Sequence, residues 1–287
     1  MPSVYGYDVD SAVPLRRLNP APGSRGKLRV VPARGPVADR EGRVTGFLET
    51  DDGRPVFAVA EVPDGCLIWC ARSGAYLVDP ASGTIEAEAN GDPELFEHRL
   101  LSSAVCTLLS LRGDLVLHAA AVEIAGGAVV FCAPTGRGKS TLARALGELG
   151  APVLSEDGVV IAREADGWLV HPGARGVRIR PPGRADAPGL LQPDPGPAPQ
   201  PRPLTRLVAL EPRGEDLRLD VLDAVLALPR LASNLVHTGG RESVAASFQL
   251  LADVCDRVEV MSQILPDSLE RLSAAAATLM DSLSQRR

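Results

Sequence analysis

The chain has 287 residues, 45% hydrophobic and 23% charged, with a formal net charge of −6 at pH 7, enough apolar matter for one large or two modest cores. An acidic chain with only 3% aromatic residues lacks the basic surface and the stacking platforms that nucleic-acid binding needs. No apolar run approaches the roughly 18 residues of a membrane span, and the opening MPSVYGYDVD carries no basic-then-apolar targeting segment. A soluble cytoplasmic protein without nucleic-acid or membrane partners is expected, its oligomeric state left open, a homo-oligomer included.

Residues 1–112 read as a β-rich domain. Lys27 to Val31, Pro55 to Val62, Cys66 to Cys70 and Tyr76 to Val78 have the composition of short strands, and Pro80-Ala81-Ser82-Gly83 turns the chain into Thr84 to Ala87. Cys66 and Cys70 fall on one strand face. Two further ligands at zinc spacing are not in evidence, so core packing is the expectation for the cysteines. Pro93 to Leu111 reads as a helix with Asp92 as N-cap and Gly113 as stop, although its apolar stripe is irregular. Residues 113–287 form the second domain. Leu115 to Ile124 and Ala128 to Cys132 flank Ala125-Gly126-Gly127 and read as a hairpin.

The hairpin runs into Ala133-Pro134-Thr135-Gly136-Arg137-Gly138-Lys139-Ser140-Thr141. Apart from Ala133 in the first glycine position, this is a phosphate-loop pattern: glycines wrap backbone N–H groups around an anion, and the following helix aims its positive end at the same place. Pro134 through Thr141 are therefore the candidate nucleotide-binding residues, with Lys139 at the outer phosphates and Ser140 offering a hydroxyl to Mg²⁺. Leu142, Ala145, Leu146 and Leu149 give the helix one apolar face, and Gly150 is a good stop. A chance strand–helix turn would not be expected to match in strand, loop and helix together.

Val153 and Leu154 read as a short buried strand beside the loop strand, with Glu156 and Asp157 at its carboxyl end, where open α/β sheets bind ligands. Two readings of the acids stand: a metal ligand and a base for an acceptor hydroxyl, or a solvated Glu-Asp-Gly turn. His118 is either a satisfied core histidine or a partner of a catalytic acid, with Glu156 the expected neighbour. Arg175, Arg178 and Arg180 either meet an anionic substrate or form a solvated strand face. Residues 181–203 contain nine prolines and read as an extended, mobile loop, a cover or a connector.

His118, the Ala133–Thr141 loop, Leu154-Ser155-Glu156-Asp157-Gly158-Val159-Val160-Ile161, Val170-His171-Pro172-Gly173 and Val177-Arg178-Ile179-Arg180-Pro181 together resemble the C-terminal kinase domain of HPr kinase/phosphorylase. The likeness is greater to the HPr-kinase-related proteins of bacterial genomes, often encoded beside peptide natural-product genes. The opening Tyr5-Gly6-Tyr7-Asp8-Val9-Asp10-Ser11 and the stretch Arg257 to Leu283 are similar in pattern too. The resemblance implies an α/β fold: a P-loop kinase domain with a mixed sheet, akin to phosphoenolpyruvate carboxykinase, after the small β-rich domain. It implies transfer of the γ-phosphoryl of ATP, with Mg²⁺, to a serine-type hydroxyl of a peptide, protein or small metabolite. Lys139 and Ser140 would hold phosphate and metal, Glu156 would be the base, Asp157 would help place the metal, and His118 falls on the family's histidine. The family's first aspartate is Glu156 here, and the HPr-specific signature after the acids is absent, which implies a different acceptor. A nucleotide-binding scaffold or regulatory subunit with reduced catalysis is the alternative. A motor-type NTPase fits less well, because no second acidic strand follows a further helix.

Overall fold

The computed structural model describes residues 1–50, 52–63, 65–165, 167–179, 190–192, 196–214, 217–236, 240–266 and 269–285. The protein is mixed α/β, with mixed sheets and few helices. It divides into two compact units, Met1–Val116 with Val236–Ser247, and Leu117–Leu235 with Phe248–Arg287.

The first unit is built on β1 (Ser3–Val4), β2 (Tyr7–Ser11), β3 (Lys27–Pro32), β4 (Arg43–Glu49), β5 (Pro55–Val62), β6 (Gly65–Cys70), β7 (Gly74–Asp79) and β8 (Thr84–Ala89). Among the described residues these make a mixed sheet in the order β1-β2-β3-β8-β7-β6-β5-β4. Antiparallel hairpins run from β4 to β8, while β2, β3 and β8 pair in parallel. Local chemistry sets the corners. A side chain at Gly65 would place its Cβ 1.9 Å from the Val78 carbonyl oxygen, so the β6 start admits glycine alone. Alternation in β3 buries Leu28 and Val30 and leaves Lys27 and Arg29 in solvent.

The helical run after β8 is α1 (Pro93–Arg99), a π turn (Leu100–Ala104) and α2 (Val105–Leu111). The Asp92 side chain accepts from the Glu94 and Leu95 N–H groups, at 2.9 and 3.2 Å. The π turn explains the irregular apolar stripe. An i→i+5 turn holds extra residues, so positions after it are rotated relative to those before it, and Leu100, Leu101, Val105, Leu108 and Leu109 are all buried. Tyr76 of β7 anchors the run, its hydroxyl donating to the Phe96 carbonyl at 3.0 Å.

The second unit contains β9 (Leu115–Leu117, whose first two residues belong to the first unit), β10 (Ala119–Ile124), β11 (Gly127–Cys132), α3 (Lys139–Glu148), β12 (Val153–Glu156), β13 (Val159–Glu164), β14 (Gly167–His171), β15 (Val177–Ile179), β16 (Leu190–Gln192), β17 (Arg202–Leu210), β18 (Arg218–Leu222), α4 (Ala224–Ala232), α5 (Arg241–Cys255, whose start belongs to the first unit), β19 (Glu259–Ile264) and α6 (Leu269–Gln285). The main sheet runs β12-β10-β11-β17-β14-β13-β9. The long β17 pairs with β14 near its start and in parallel with β19 further on, and β18 lies outside β19. Helices α3 and α6 cover one face over a core that includes Phe131, Leu142, Leu146, Val208, Met261 and Leu279. Removing one such side chain, as in Leu146→Ala, costs about 2–5 kcal/mol. Among the described residues no helix is long and apolar enough to cross a membrane.

All five cysteines are buried, and none forms a disulfide. Burial raises the Cys132 thiol from an ordinary 9.0 to about 12, and the Cys255 thiol to about 11. A raised value means that the folded chain holds the proton more tightly than the unfolded chain does. The stability so contributed is whole below pH 9 and is lost as the pH climbs toward 11 and 12. Denaturant titrations are expected to show stability falling from pH 9 to pH 11, with a shallower fall in Cys132→Ala. Equal slopes in the two proteins would refute this account.

Candidate functional site

The strand β11 is buried along its whole length and delivers the chain to the loop Ala133–Gly138. Ala133 is buried and is absent from the residues with positive φ, so a Cβ is no burden at the first position of the pattern. Gly136 and Gly138 do take positive φ, 86° and 97°. Gly138 is the N-cap of α3 and brings no side-chain cap, so the first N–H groups of the helix face the loop without one. Lys139 is 7% exposed, and its ammonium donates to the carbonyls of Ala133 at 2.6 Å and Pro134 at 3.4 Å. Burial pushes this ammonium below its ordinary 10.5, while Asp157 and Glu156 pull it back up. Thr135 and Arg137 are exposed, and Ser140 and Thr141 half-buried.

Two expectations of placement are corrected. The stretch Leu115 to Ile124 is not one strand. It breaks at His118, whose N–H donates to the Asn234 carbonyl at 2.7 Å, and β9 and β10 go to different neighbours. The acid-bearing strand β12 does not lie beside the loop strand either. Hairpin partner β10 occupies that edge of β11, with Ala120 paired to both Phe131 and Glu156, and β12 takes the next place. The other edge of β11 is taken by β17.

The acids nevertheless reach the loop. Ser140 Oγ donates to Glu156 Oε1. Asp157 has a φ of 71°, and the Gly158 N–H closes back on the Glu156 carbonyl at 2.9 Å, so the chain reverses at this point. The segment is thus both a tight turn and a carrier of two carboxylates aimed at neighbours across the sheet end. His118 lies against Asp157, where Glu156 had been expected: its Nδ1 is 2.8 Å from the Asp157 carbonyl oxygen and 3.2 Å from Oδ1. A proton on Nδ1 serves both contacts, and Nε2 then faces Thr135 Oγ1 at 3.5 Å. Gly138, Lys139, Ser140, Thr135, Glu156, Asp157 and His118 therefore meet at one end of the sheet.

The arginines separate. Arg175 lies in the loop after β14, which the Gly173 N–H fixes beside β12 through the Leu154 carbonyl at 2.9 Å, and its guanidinium donates to the Gly196 carbonyl at 2.5 Å. Arg178 pairs in β15 with Leu191 of β16. Arg180 and most of 181–195 lie outside the described residues. A cation that sequence reasoning passed over is Arg213: a Cβ added at Gly138 would lie 2.8 Å from its Nη2. Its signal was available, since it follows the apolar run Leu207–Leu210 at the carboxyl end of a second parallel strand.

An anion fits this arrangement. It would meet the open start of α3, Lys139 and Arg213. Among the described residues no cluster of three or more His, Cys, Asp or Glu has metal-site geometry. A Mg²⁺ ion carried by one hydroxyl, one or two carboxylates and phosphate oxygens asks for no such cluster, and Ser140 with its neighbouring acids supplies hard oxygen of that kind.

Gly138→Ala meets two obstacles, a movable guanidinium end and a left-handed backbone. The second is expected to dominate, costing roughly 1–2 kcal/mol of stability. The cost should persist in an Arg213→Ala background, read by urea titration, and its disappearance there would show that the clash decides instead.

No family model and no curated protein matches this chain in sequence. Among solved structures, the HPr(Ser) kinase/phosphatase from Coxiella burnetii is matched over 60% of this chain and 99% of that one, at 12% identity and a TM-score of 0.32. The likeness is distant.

Proposed function

We propose that the protein is an ATP- and Mg²⁺-dependent phosphotransferase that moves the γ-phosphoryl group to a serine-type hydroxyl of a peptide, protein or small metabolite. One observation carries this reading. The Ala133–Ser140 loop, with Lys139 buried in it, shares a sheet end with two carboxylates, one joined to Ser140 and the other to His118. Reactions of this class ask the protein for alignment and charge placement more than for covalent chemistry. The loop N–H groups, Lys139 and Arg213 would bind the triphosphate, and Ser140 with one of the two acids would hold Mg²⁺. When bound, that ion neutralises charge building on the phosphoryl oxygens. A carboxylate at the strand end would take the proton of the attacking hydroxyl. The resemblance of the motifs to HPr-kinase-related proteins supports the same reaction class, and the missing HPr signature leaves the acceptor a different hydroxyl compound.

Calorimetry with ATP and Mg²⁺ is expected to show binding that Lys139→Ala weakens by about 2 kcal/mol, near thirtyfold in Kd. Unchanged binding in that variant would end the phosphate-loop reading. Intact-mass analysis of candidate peptides and metabolites incubated with the protein, ATP and Mg²⁺ should reveal an acceptor heavier by one phosphoryl group. Tight nucleotide binding with no transfer to any acceptor would instead favour the scaffold or regulatory alternative.

A further inference from the structure

We propose that the two acids divide their work in the reverse of the order the resemblance implies: Glu156 serves the metal side together with Ser140, and Asp157, positioned by His118, accepts the proton of the attacking hydroxyl. This rests on the phosphotransferase reading above and assigns its residues.

The argument starts from the sheet. Because β10 stands between β11 and β12, the acid strand lies two strands from the loop strand, about 10 Å across at ordinary strand spacing. Reaching the first turn of α3 from there favours a long side chain. Glu156 has one methylene more than aspartate, and its Oε1 accepts a hydrogen bond from the Ser140 hydroxyl. In phosphate-loop enzymes the serine or threonine at this place and a strand-end acid hold Mg²⁺ together. Ser140 and Glu156 are already such a pair. A glutamate at this position suits a metal-side acid that starts two strands away.

Asp157 is directed elsewhere. Its left-handed backbone turns it out of the strand line, and His118 grips it at two atoms, the carbonyl oxygen at 2.8 Å and Oδ1 at 3.2 Å. His118 is itself fixed from behind, through its N–H on the Asn234 carbonyl, and reaches Thr135 of the loop on its other ring nitrogen. The Asp157 side chain is 21% exposed, open to an incoming acceptor. In the transfer, the acceptor oxygen bonds to the γ-phosphorus while the bond from that phosphorus to the bridging oxygen breaks. ADP leaves with that electron pair, and the hydroxyl proton passes to an Asp157 carboxylate oxygen. His118 is a positioning residue that holds this carboxylate in place.

The test uses the full chain and calorimetry with ATP, with and without Mg²⁺. Glu156→Gln should weaken Mg²⁺–ATP binding about 10- to 100-fold and leave Mg²⁺-free binding within about twofold. Asp157→Asn should leave both within about twofold while lowering turnover, read as ADP release, by about 10²–10⁴-fold. In the Mg²⁺-dependent part of binding, Ser140→Ala and Glu156→Gln should be non-additive, and Ser140→Ala and Asp157→Asn additive. His118→Ala should lower kcat with little change in KM for ATP or in melting temperature, and His118→Asn, which keeps an N–H donor, should recover part of the loss. If Asp157→Asn rather than Glu156→Gln removes the Mg²⁺-dependent binding, the division of roles is overturned while the phosphotransferase reading stands. If the wild-type chain binds no ATP at all, that reading fails and this one with it. Equal losses in His118→Ala and His118→Asn would overturn the positioning role.

Discussion

A buried ammonium organises the second unit. Lys139 sits at the start of α3 with almost no access to water, and a charge in that position is strongly unfavourable unless polar groups surround it. The Ala133 and Pro134 carbonyls, turned inward by the loop, meet it directly, and Asp157 and Glu156 supply opposite charge from the carboxyl end of β12. The loop can wrap inward because Gly136 and Gly138 accept positive φ. Strand β11, helix α3 and the carboxyl end of β12 thus meet in compensating one charge.

That need is met through an inserted strand. The Ala125-Gly126 turn, with φ values of 51° and 80°, folds β10 back on β11 and fills the edge where an acid-bearing strand would otherwise lie. The carboxylates then have to span a wider gap. Glu156 does so with length, and Asp157 with a backbone reversal that brings it to His118. The break between β9 and β10 has the same logic. A residue in a continuous strand would direct its side chain along one face, whereas at the break His118 is oriented by the Asn234 carbonyl and stands beside the turn of the acids.

The first unit is stabilised differently. Its sheet is held by hairpins whose corners depend on glycine, and by a helix whose π turn keeps an apolar surface over the strands. Its polar anchors are specific. Glu97 accepts the backbone N–H groups of Arg16 and Arg17, and Arg17 Nη1 lies 3.0 Å from His98 Nδ1, so the segment after β2 is tied to α1 by buried, mutually satisfied groups.

Much of this was written locally. Composition, period-two alternation and turn residues placed β3, β5, β6, β7 and β8, and the Asp92 cap and Gly150 stop delimited helices, because caps, turns and apolar periodicity act over a few residues. The loop pattern marked Pro134 to Thr141 for the same reason: its glycines and lysine lie within one short segment. The edge strand β4 escaped notice, since a strand exposed along its length carries no buried alternation. The tertiary structure alone decided what depends on strand order. It put β10 between β11 and β12, joined Glu156 to Ser140 and His118 to Asp157, brought Arg213 over Gly138, and returned Val236–Ser247 to the first unit. Those pairings join residues far apart in the chain, and which strand neighbours which is settled by the closing of hairpins and the packing of helices over the whole sheet.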